Sequence, residues 1–169
     1  DKSYIKYKSA YFEKYNNIWH HGDFAKITKN NGFIIYGRSD ATLNPGGVRL
    51  GTAEIYNIVE KFKEIQESIV IGQSWKNDIR IILFVVLNNK YILTDKIKNK
   101  IKKEIKIKAS PRHVPSKIIQ VFQIPKTKNG KLVELAVKQS VEGRKIKNLE
   151  ALENPDSLNQ FKNIKELNE

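Results

Sequence analysis

Residues 36–51 hold two arginines, one aspartate and four glycines between two apolar-rich regions of the chain. The adjacent glycines Gly46 and Gly47 let the backbone approach a bulky ligand and present amide groups to it. Arg49 follows closely, and a guanidinium can hold a phosphate through two parallel hydrogen bonds. This composition favours either a loop that handles an anion or an elaborate turn, and these residues alone leave both interpretations open.

Two further positions could contact the same ligand. Asp23 follows a glycine at the start of an apolar-rich run. A carboxylate there can bind the paired hydroxyls of a ribose, or it can form an ordinary Asx turn. Lys131 ends the stretch Pro-Lys-Thr-Lys-Asn-Gly-Lys, whose proline and glycine predict a defined turn. A lysine on such a turn is a compact charge that can meet a phosphate or carboxylate, although a solvated surface lysine is the common alternative.

The composition narrows the chemistry that these residues could perform. Cysteine is absent, which excludes disulfides, zinc–thiolate sites and cysteine nucleophiles. The three histidines, His20, His21 and His113, lack acidic residues at metal-ligand spacing, so we predict no metal site on protein ligands. Methionine is also absent and the first residue is Asp1, which predicts a piece of a longer chain.

The formal net charge of +13 raises the question of nucleic-acid binding. The excess is mostly lysine, spread through amphipathic stretches rather than interleaved with aromatic residues, so we interpret it as solvated surface and consider nucleic acid an improbable partner. No apolar run approaches the 18 or so residues that span a membrane, and no segment has the form of a signal peptide. We therefore predict a cytoplasmic protein without a membrane segment.

The N-terminal third predicts one hairpin. An Asn-Gly pair separates apolar-rich runs at 24–28 and 33–37, which is a strong hairpin signal. Residues 1–19 are aromatic and polar, with a spacing of about four that suits a helix face but breaks off at Asn16. We interpret them as a surface segment that packs on structure outside this chain.

After residue 51 the chain reads as a small α+β unit. Isoleucines at 97, 101 and 105 give one helix an apolar stripe, with lysines on its solvated face. The remaining segments are predicted in chain order as a helix capped by Thr52, a hairpin of strands 67–75 and 79–87, the lysine-rich helix from Thr94 or Asp95, a strand at 117–124, a helix at 133–141 and an extended surface tail with a short last helix.

Three of these stretches, in order, resemble motifs of the AMP-forming acyl-CoA synthetases, a family of adenylate-forming enzymes. The His-Gly-Asp stretch ending at Asp23 is similar to the family's ribose motif. Residues 36–40 through 51–55 resemble its hinge and CoA-side motif, and residues 125–131 resemble its terminal lysine motif, with Asn129 where serine is common. Three ordered motifs are far more specific than any one of them alone.

Within the family, the chain most resembles the acetoacetyl-CoA synthetases, through residues 40–49, 110–115, 130–138 and 152–155. The resemblance covers essentially the whole chain but only about the last quarter of such an enzyme. It implies an α+β fold, the small C-terminal lobe, with a hairpin followed by a mixed three-stranded sheet and flanking helices. The implied domains are a remnant of the large nucleotide-binding lobe (1–39), the mobile C-terminal lobe (40–142) and a C-terminal extension (143–169).

The resemblance also implies an activity: a two-step ligation of acetoacetate to CoA, with ATP consumed to AMP and pyrophosphate through an acyl-adenylate. Mg²⁺ would be held mainly by ATP and by the large lobe outside this chain. A ligase for another short acid, such as acetate or propionate, and a free-standing basic binding module are the alternatives. For this chain by itself we expect no ligase turnover.

The residue roles implied by the resemblance follow the two steps. For adenylation, Lys131 is the catalytic residue that stabilises developing charge, while the ribose and phosphates of ATP or AMP meet Asp23, Arg38 and Arg49. For the second step, Asp40 is the hinge about which the small lobe swings. The CoA-binding residues in that state are Gly46, Gly47 and Lys102.

Overall fold

A computed structural model describes residues 2–146 and 148–169. Within them, five strands form two separate sheets, one of two strands and one of three. The helices and strands in chain order are α1 (Lys2–Tyr11), β1 (Asp23–Ile27), β2 (Phe33–Arg38), α2 (Thr52–Val59), β3 (Ile65–Trp75), β4 (Asp78–Leu87), α3 (Asp95–Lys108), β5 (Lys117–Gln120) and α4 (Glu134–Val141). Short 3-10 turns join them, among them Pro45–Gly47 and, after α4, Leu149–Ala151, Pro155–Phe161 and Lys165–Leu167.

The three-stranded sheet is mixed, and its order is β3-β4-β5. β3 and β4 form an antiparallel hairpin, and β5 lies parallel to β4, with Ile82 opposite Lys117. β4 is the central strand, and its residues 81–87 are all buried. A strand covered on both faces has no polar alternation, which explains the continuous apolar run in the sequence. The predicted α+β fold with a mixed three-stranded sheet is confirmed.

Apolar side chains cover both faces of this sheet. On one face α2 and α3 pack over the strands, and the buried residues there include Ile55, Val59, Val70, Leu83, Ile101 and Ile105. On the other face α4 and the residues after it form a second core, with Ile69, Ile71, Ile82, Phe84, Val137, Leu158 and Phe161.

The C-terminal residues are more than a surface wrap, so that prediction is wrong. Leu158 is 2% exposed and Phe161 is fully buried. The Phe161 ring meets Phe84 of β4 edge to face, with 4.9 Å between centroids. β5 ends at Gln120 rather than near residue 124, and Val121 and Ile124 beyond it join Leu158 and Phe161 in the second core.

The start of α2 also differs from prediction. Thr52 is the first residue of the helix, is buried, and makes no capping hydrogen bond. Gly51 takes the cap position, where a Cβ atom would collide with the Tyr36 carbonyl oxygen in β2. This close approach of hairpin and helix turns Thr52 into the interior and away from the helix end.

The N-terminal segment forms α1, which agrees with the helix-like spacing of its aromatic residues, and most of the described residues of the helix are exposed as predicted. Tyr7 and Tyr11 lie one turn apart with ring centroids at 5.4 Å, a spacing that a helix favours. The hairpin β1–β2 is confirmed, and it also exposes apolar side chains, including Phe33 at 70%. None of the helices in the described ranges is both long enough and apolar enough to span a bilayer.

Candidate functional site

The hairpin brings Asp23 and Arg38 together. Asp23 opens β1, Arg38 ends β2, and the two face each other in the antiparallel register. Arg38 Nη1 lies 3.9 Å from Asp23 Oδ1 and donates to the His21 carbonyl oxygen at 3.0 Å. Its Nε donates to Asp40 Oδ1 at 3.4 Å. Gly22, at φ +90°, lets the guanidinium approach, since a Cβ there would lie 2.8 Å from Arg38 Nη2.

The carboxylates of Asp23 and Asp40 in this cluster are held by Arg38 and remain accessible to solvent. The Asp23 side chain is 28% exposed and its Oδ2 contacts His21 Nδ1, which leaves lone pairs for a ligand. Arg38 and Asp40 are about half exposed. One guanidinium therefore holds two carboxylates in place while both stay accessible to hydroxyl groups.

Asp40 lies in the turn between the hairpin and the rest of the chain. Two hydrogen bonds to the Arg38 carbonyl oxygen hold this turn, from the Ala41 amide at 3.2 Å and the Thr42 hydroxyl at 3.0 Å. A cavity of about 210 Å³ separates it from α4, with Asp40, Thr42 and Lys138 among its lining residues. The Asp40 side chain therefore stands at the edge of this cavity and is about half exposed.

Gly46 and Gly47 form a tight loop held from across the fold. Both have positive φ, 56° and 78°, which favours glycine. The Gly46 amide donates to both carboxylate oxygens of Asp78, at 2.9 and 3.2 Å. A Cβ on Gly47 would meet no atom within 4 Å, and Gly47 borders an open cavity of about 560 Å³. The Gly47 face of the loop is therefore free to receive a ligand.

The Asp78 carboxylate accepts a further hydrogen bond, from the Ile79 amide at 2.7 Å. The amides of Gly46 and Ile79 lower the pKa of Asp78. Sequence reasoning missed this residue, because it lies 32 positions from the loop that it holds and looks like an ordinary turn aspartate.

The chain around the glycine loop is pinned at its base. Leu43 and Leu50 pair as an isolated bridge, with backbone hydrogen bonds of 3.0 and 2.9 Å. Arg49, directly before Leu50 in the chain, is exposed, and no ion pair joins it to any residue that the structure describes. The Arg112 guanidinium lies beside the loop, 3.7 Å from where a Gly46 Cβ would be.

Lys102 lies elsewhere, on α3. Its Nζ donates to the Ser116 carbonyl oxygen at 3.3 Å. It lines an open groove of about 430 Å³ together with Lys98 and Lys117. No hydrogen bond among the described residues joins it to Gly46 or Gly47.

Lys131 lies on a compact turn with its side chain exposed. Thr127 organises the turn: its amide donates to the Lys131 carbonyl oxygen at 2.9 Å, and its hydroxyl accepts from the Lys131 amide at 3.1 Å. The Gly130 amide donates to the Thr127 carbonyl oxygen at 2.7 Å, with Gly130 at φ +73°. The sequence prediction of a defined turn is confirmed.

Residues 54–131 match the family model described as AMP-binding enzyme C-terminal domain. Residues 54–131 belong to this domain family. The chain is 54% identical over 167 residues to the acetoacetyl-coenzyme A synthetase of Rhizobium meliloti (strain 1021), a match that covers 99% of this chain and 26% of the relative. It is 43% identical over 169 residues to the acetoacetyl-CoA synthetase of Gallus gallus, with 99% and 25% covered.

A solved structure of the acetoacetyl-CoA synthetase from Streptomyces lividans matches with a TM-score of 0.88 and 36% identity, over 100% of this chain and 26% of that one. The resemblance to acetoacetyl-CoA synthetases is therefore confirmed along essentially the whole chain. The chain spans about a quarter of the length of these relatives.

The fold of the chain brings only some of the predicted site residues together. Asp23, Arg38 and Asp40 form one contact group in the hairpin and turn. The glycine loop, Lys102 and the lysine turn are three separate surfaces of the domain. Such an arrangement suits an enzyme in which different surfaces of one small lobe contact the ligands at different steps.

Proposed function

We propose that this chain is the C-terminal part of an acetoacetate–CoA ligase. Acetoacetate and ATP would first give acetoacetyl-adenylate and pyrophosphate, and the CoA thiol would then displace AMP to give acetoacetyl-CoA. The observation that carries the proposal is the 54% identity to an acetoacetyl-CoA synthetase over 99% of the chain.

In the first step Lys131 is the catalytic residue. An exposed ammonium on a rigid turn can neutralise charge that develops as the carboxylate attacks the α-phosphate, an electrostatic role. Asp23 accepts hydrogen bonds from the ribose hydroxyls, and Arg38 orients that carboxylate. Arg49, exposed beyond the glycine loop, is suited to a phosphate. Mg²⁺ is held mainly by ATP and by the large lobe of the enzyme.

In the second step the small lobe swings about Asp40, which withdraws Lys131 and presents the glycine loop. Asp40 lies in the exposed turn that joins the hairpin to the rest of the chain, a position that suits this motion. Gly46 and Gly47 line the channel for the pantetheine arm, because the open face of Gly47 permits close approach. Lys102, beside Lys98 and Lys117, binds a CoA phosphate.

The domain boundaries follow from the swing. We assign residues 1–39 to the large lobe, 40–142 to the mobile lobe and 143–169 to an extension. The exposed apolar side chains of α1 and β1–β2, such as Tyr4 and Phe33, suit a surface that packs on the rest of the large lobe.

Substitution of Lys131 tests the proposal in the complete enzyme. In Lys131→Ala we expect acetoacetate-dependent ATP–pyrophosphate exchange to fall about 10²-fold or more, since a charge-stabilising group is lost. Conversion of supplied acetoacetyl-adenylate and CoA to thioester should change less than about twofold, because Lys131 is withdrawn in that step. Lys128→Ala, an exposed lysine of the same turn, is the matched control and should leave both rates near wild type.

Two outcomes would contradict the proposal. Equal losses in both half-reactions would remove the separate role of Lys131 in adenylation. Exchange with acetate or propionate that exceeds exchange with acetoacetate would assign the enzyme to another short acid.

A further inference from the structure

The tail, residues 148–169, contacts the turn that carries Lys131. Thr127 pairs with Leu152 as an isolated bridge. The Lys128 amide donates to the Ala151 carbonyl oxygen at 3.1 Å, and the Glu153 amide donates to the Lys126 carbonyl oxygen at 2.9 Å. The tail therefore supplies hydrogen-bond partners to two residues of the lysine turn that its own backbone leaves unpaired.

Asn154 is the central side chain of this contact. Its Oδ1 accepts from the Lys126 amide at 2.9 Å, and its Nδ2 donates to the Ile124 carbonyl oxygen at 3.0 Å. Pro125 lies between those two positions and has no amide hydrogen to offer a neighbouring strand. One side-chain amide thus fixes the chain on both sides of the proline, at the entry to the lysine turn.

The tail is itself firmly anchored. Leu152 is 7% exposed and Phe161 is fully buried. The Ser157 hydroxyl donates to the Asn154 carbonyl oxygen at 2.6 Å, and the Ser140 hydroxyl of α4 donates to the Leu158 carbonyl oxygen at 2.8 Å. Because Asn154 stands between the buried Leu152 and a 3-10 turn that buries Leu158 and Phe161, it can hold the lysine turn against a fixed base.

A second support comes from the sheet. The Lys126 ammonium pairs with Glu67 Oε1 of β3 at 2.5 Å. Both supports act on Lys126, five residues before Lys131, and the Thr127 hydrogen bonds transmit that position across the turn. The lysine turn is therefore held at its base and free at Lys131, as a positioned charge requires.

We propose that the tail positions Lys131 for adenylation and that Asn154 is the positioning residue. This inference rests on the proposed role of Lys131 in the first step. The tail lies beyond residue 131, where the match to the AMP-binding enzyme C-terminal domain ends, so the support is added to that domain from outside its matched range. Loss of Asn154 leaves Lys131 present but displaced, and small displacements of a charge-stabilising group are costly.

The test uses the complete enzyme with Asn154→Ala, Asn154→Asp and Lys131→Ala. In Asn154→Ala, ATP–pyrophosphate exchange should fall at least about tenfold, while thioester formation from supplied acetoacetyl-adenylate stays within about twofold. Asn154→Asp should lie between wild type and alanine, because it keeps the acceptor for the Lys126 amide and loses the donor to Ile124. Asn159→Ala, an exposed asparagine in the same tail, is the matched control and should change neither rate.

Amide hydrogen exchange in the complete enzyme gives a readout that does not depend on turnover. The Lys126 and Lys128 amides should exchange faster in Asn154→Ala than in wild type or Asn159→Ala. Unchanged exchange at these amides, or equal loss of both half-reactions, would overturn the positioning role. If Lys131→Ala itself left pyrophosphate exchange intact, the proposed function would fail, and the role of Asn154 in it would fail with it. If instead only Lys131→Ala lowered pyrophosphate exchange, the positioning role alone would be wrong.

Discussion

Replacement of Phe161 by alanine measures whether the tail belongs to the core. Phe161 is fully buried, and its ring meets Phe84 edge to face at 4.9 Å. Truncation of a buried phenylalanine costs about 3–5 kcal/mol, of which the edge-to-face pair supplies about 0.5–1.5 kcal/mol. A residue in a surface wrap would cost within about 0.5 kcal/mol. The two descriptions of the tail therefore differ by several kcal/mol.

The assay is urea unfolding of the chain, followed by far-UV circular dichroism. With an m-value of about 2 kcal/mol per molar, a loss of 4 kcal/mol lowers the midpoint by about 2 M. Phe122→Ala is the matched control, because Phe122 is 90% exposed and the substitution removes the same atoms. It should move the midpoint by less than about 0.3 M.

A small and equal shift in Phe161→Ala and Phe122→Ala would show that the tail is not part of the core. A double-mutant cycle with Phe84→Ala separates the ring pair from general burial. A coupling free energy of about 0.5–1.5 kcal/mol is expected, because the two rings touch directly.

Two further predictions concern residues that hold loops and helices. Hydrogen bonds from the Gly46 and Ile79 amides lower the pKa of Asp78, so its contribution to the free energy of unfolding is present above the unfolded-state pKa and is lost as pH falls through the folded-state value. Asp78→Asn should therefore lower the urea midpoint at pH 5 and less at pH 2.5, and an equal deficit at both would contradict the linkage. The pKa of Tyr56 is raised by burial of its hydroxyl and by the nearby Glu134 carboxylate. The contribution of this hydroxyl to the free energy of unfolding is therefore complete below about pH 10 and declines at higher pH. Tyr56→Phe removes hydrogen bonds to Glu134 and from the Val70 amide, both 3.1 Å, and should cost about 1–3 kcal/mol at pH 7 in urea unfolding; a neutral effect would show that those groups find other partners.

Burial patterns made most of the central fold predictable. The apolar runs of β3 and β4 and the isoleucine stripe of α3 can be recognised in short windows of the sequence. The bounds of these three elements agree with prediction to within a few residues. The Asn-Gly turn predicts the hairpin, but the pairing of Asp23 with Arg38 also depends on a register shift between Phe24 and Ala25 that the turn does not set.

Contacts between distant segments could not be predicted in the same way. Asp78 holds the glycine loop across the fold, and Asn154 holds the lysine turn from 28 positions away. Nothing in a local window distinguishes these side chains from other turn-forming aspartates and asparagines. The aromatic spacing of α1 suited a helix face, but the sequence alone left that interpretation open because exposed tyrosines form no buried stripe.

The anchors of the two loops bear on the proposed swing. The glycine loop is fixed by Asp78 and the lysine turn by Thr127 and Asn154, so every one of these anchors follows Asp40 in the chain. A rotation about Asp40 would therefore carry both loops as one preformed unit. The contacts that must change lie across the hinge, where β2 meets α2 and Arg38 meets Asp40. The proposed swing would then exchange one preformed surface for another, and its conformational cost would lie in the turn at Asp40 and in the contact between β2 and α2.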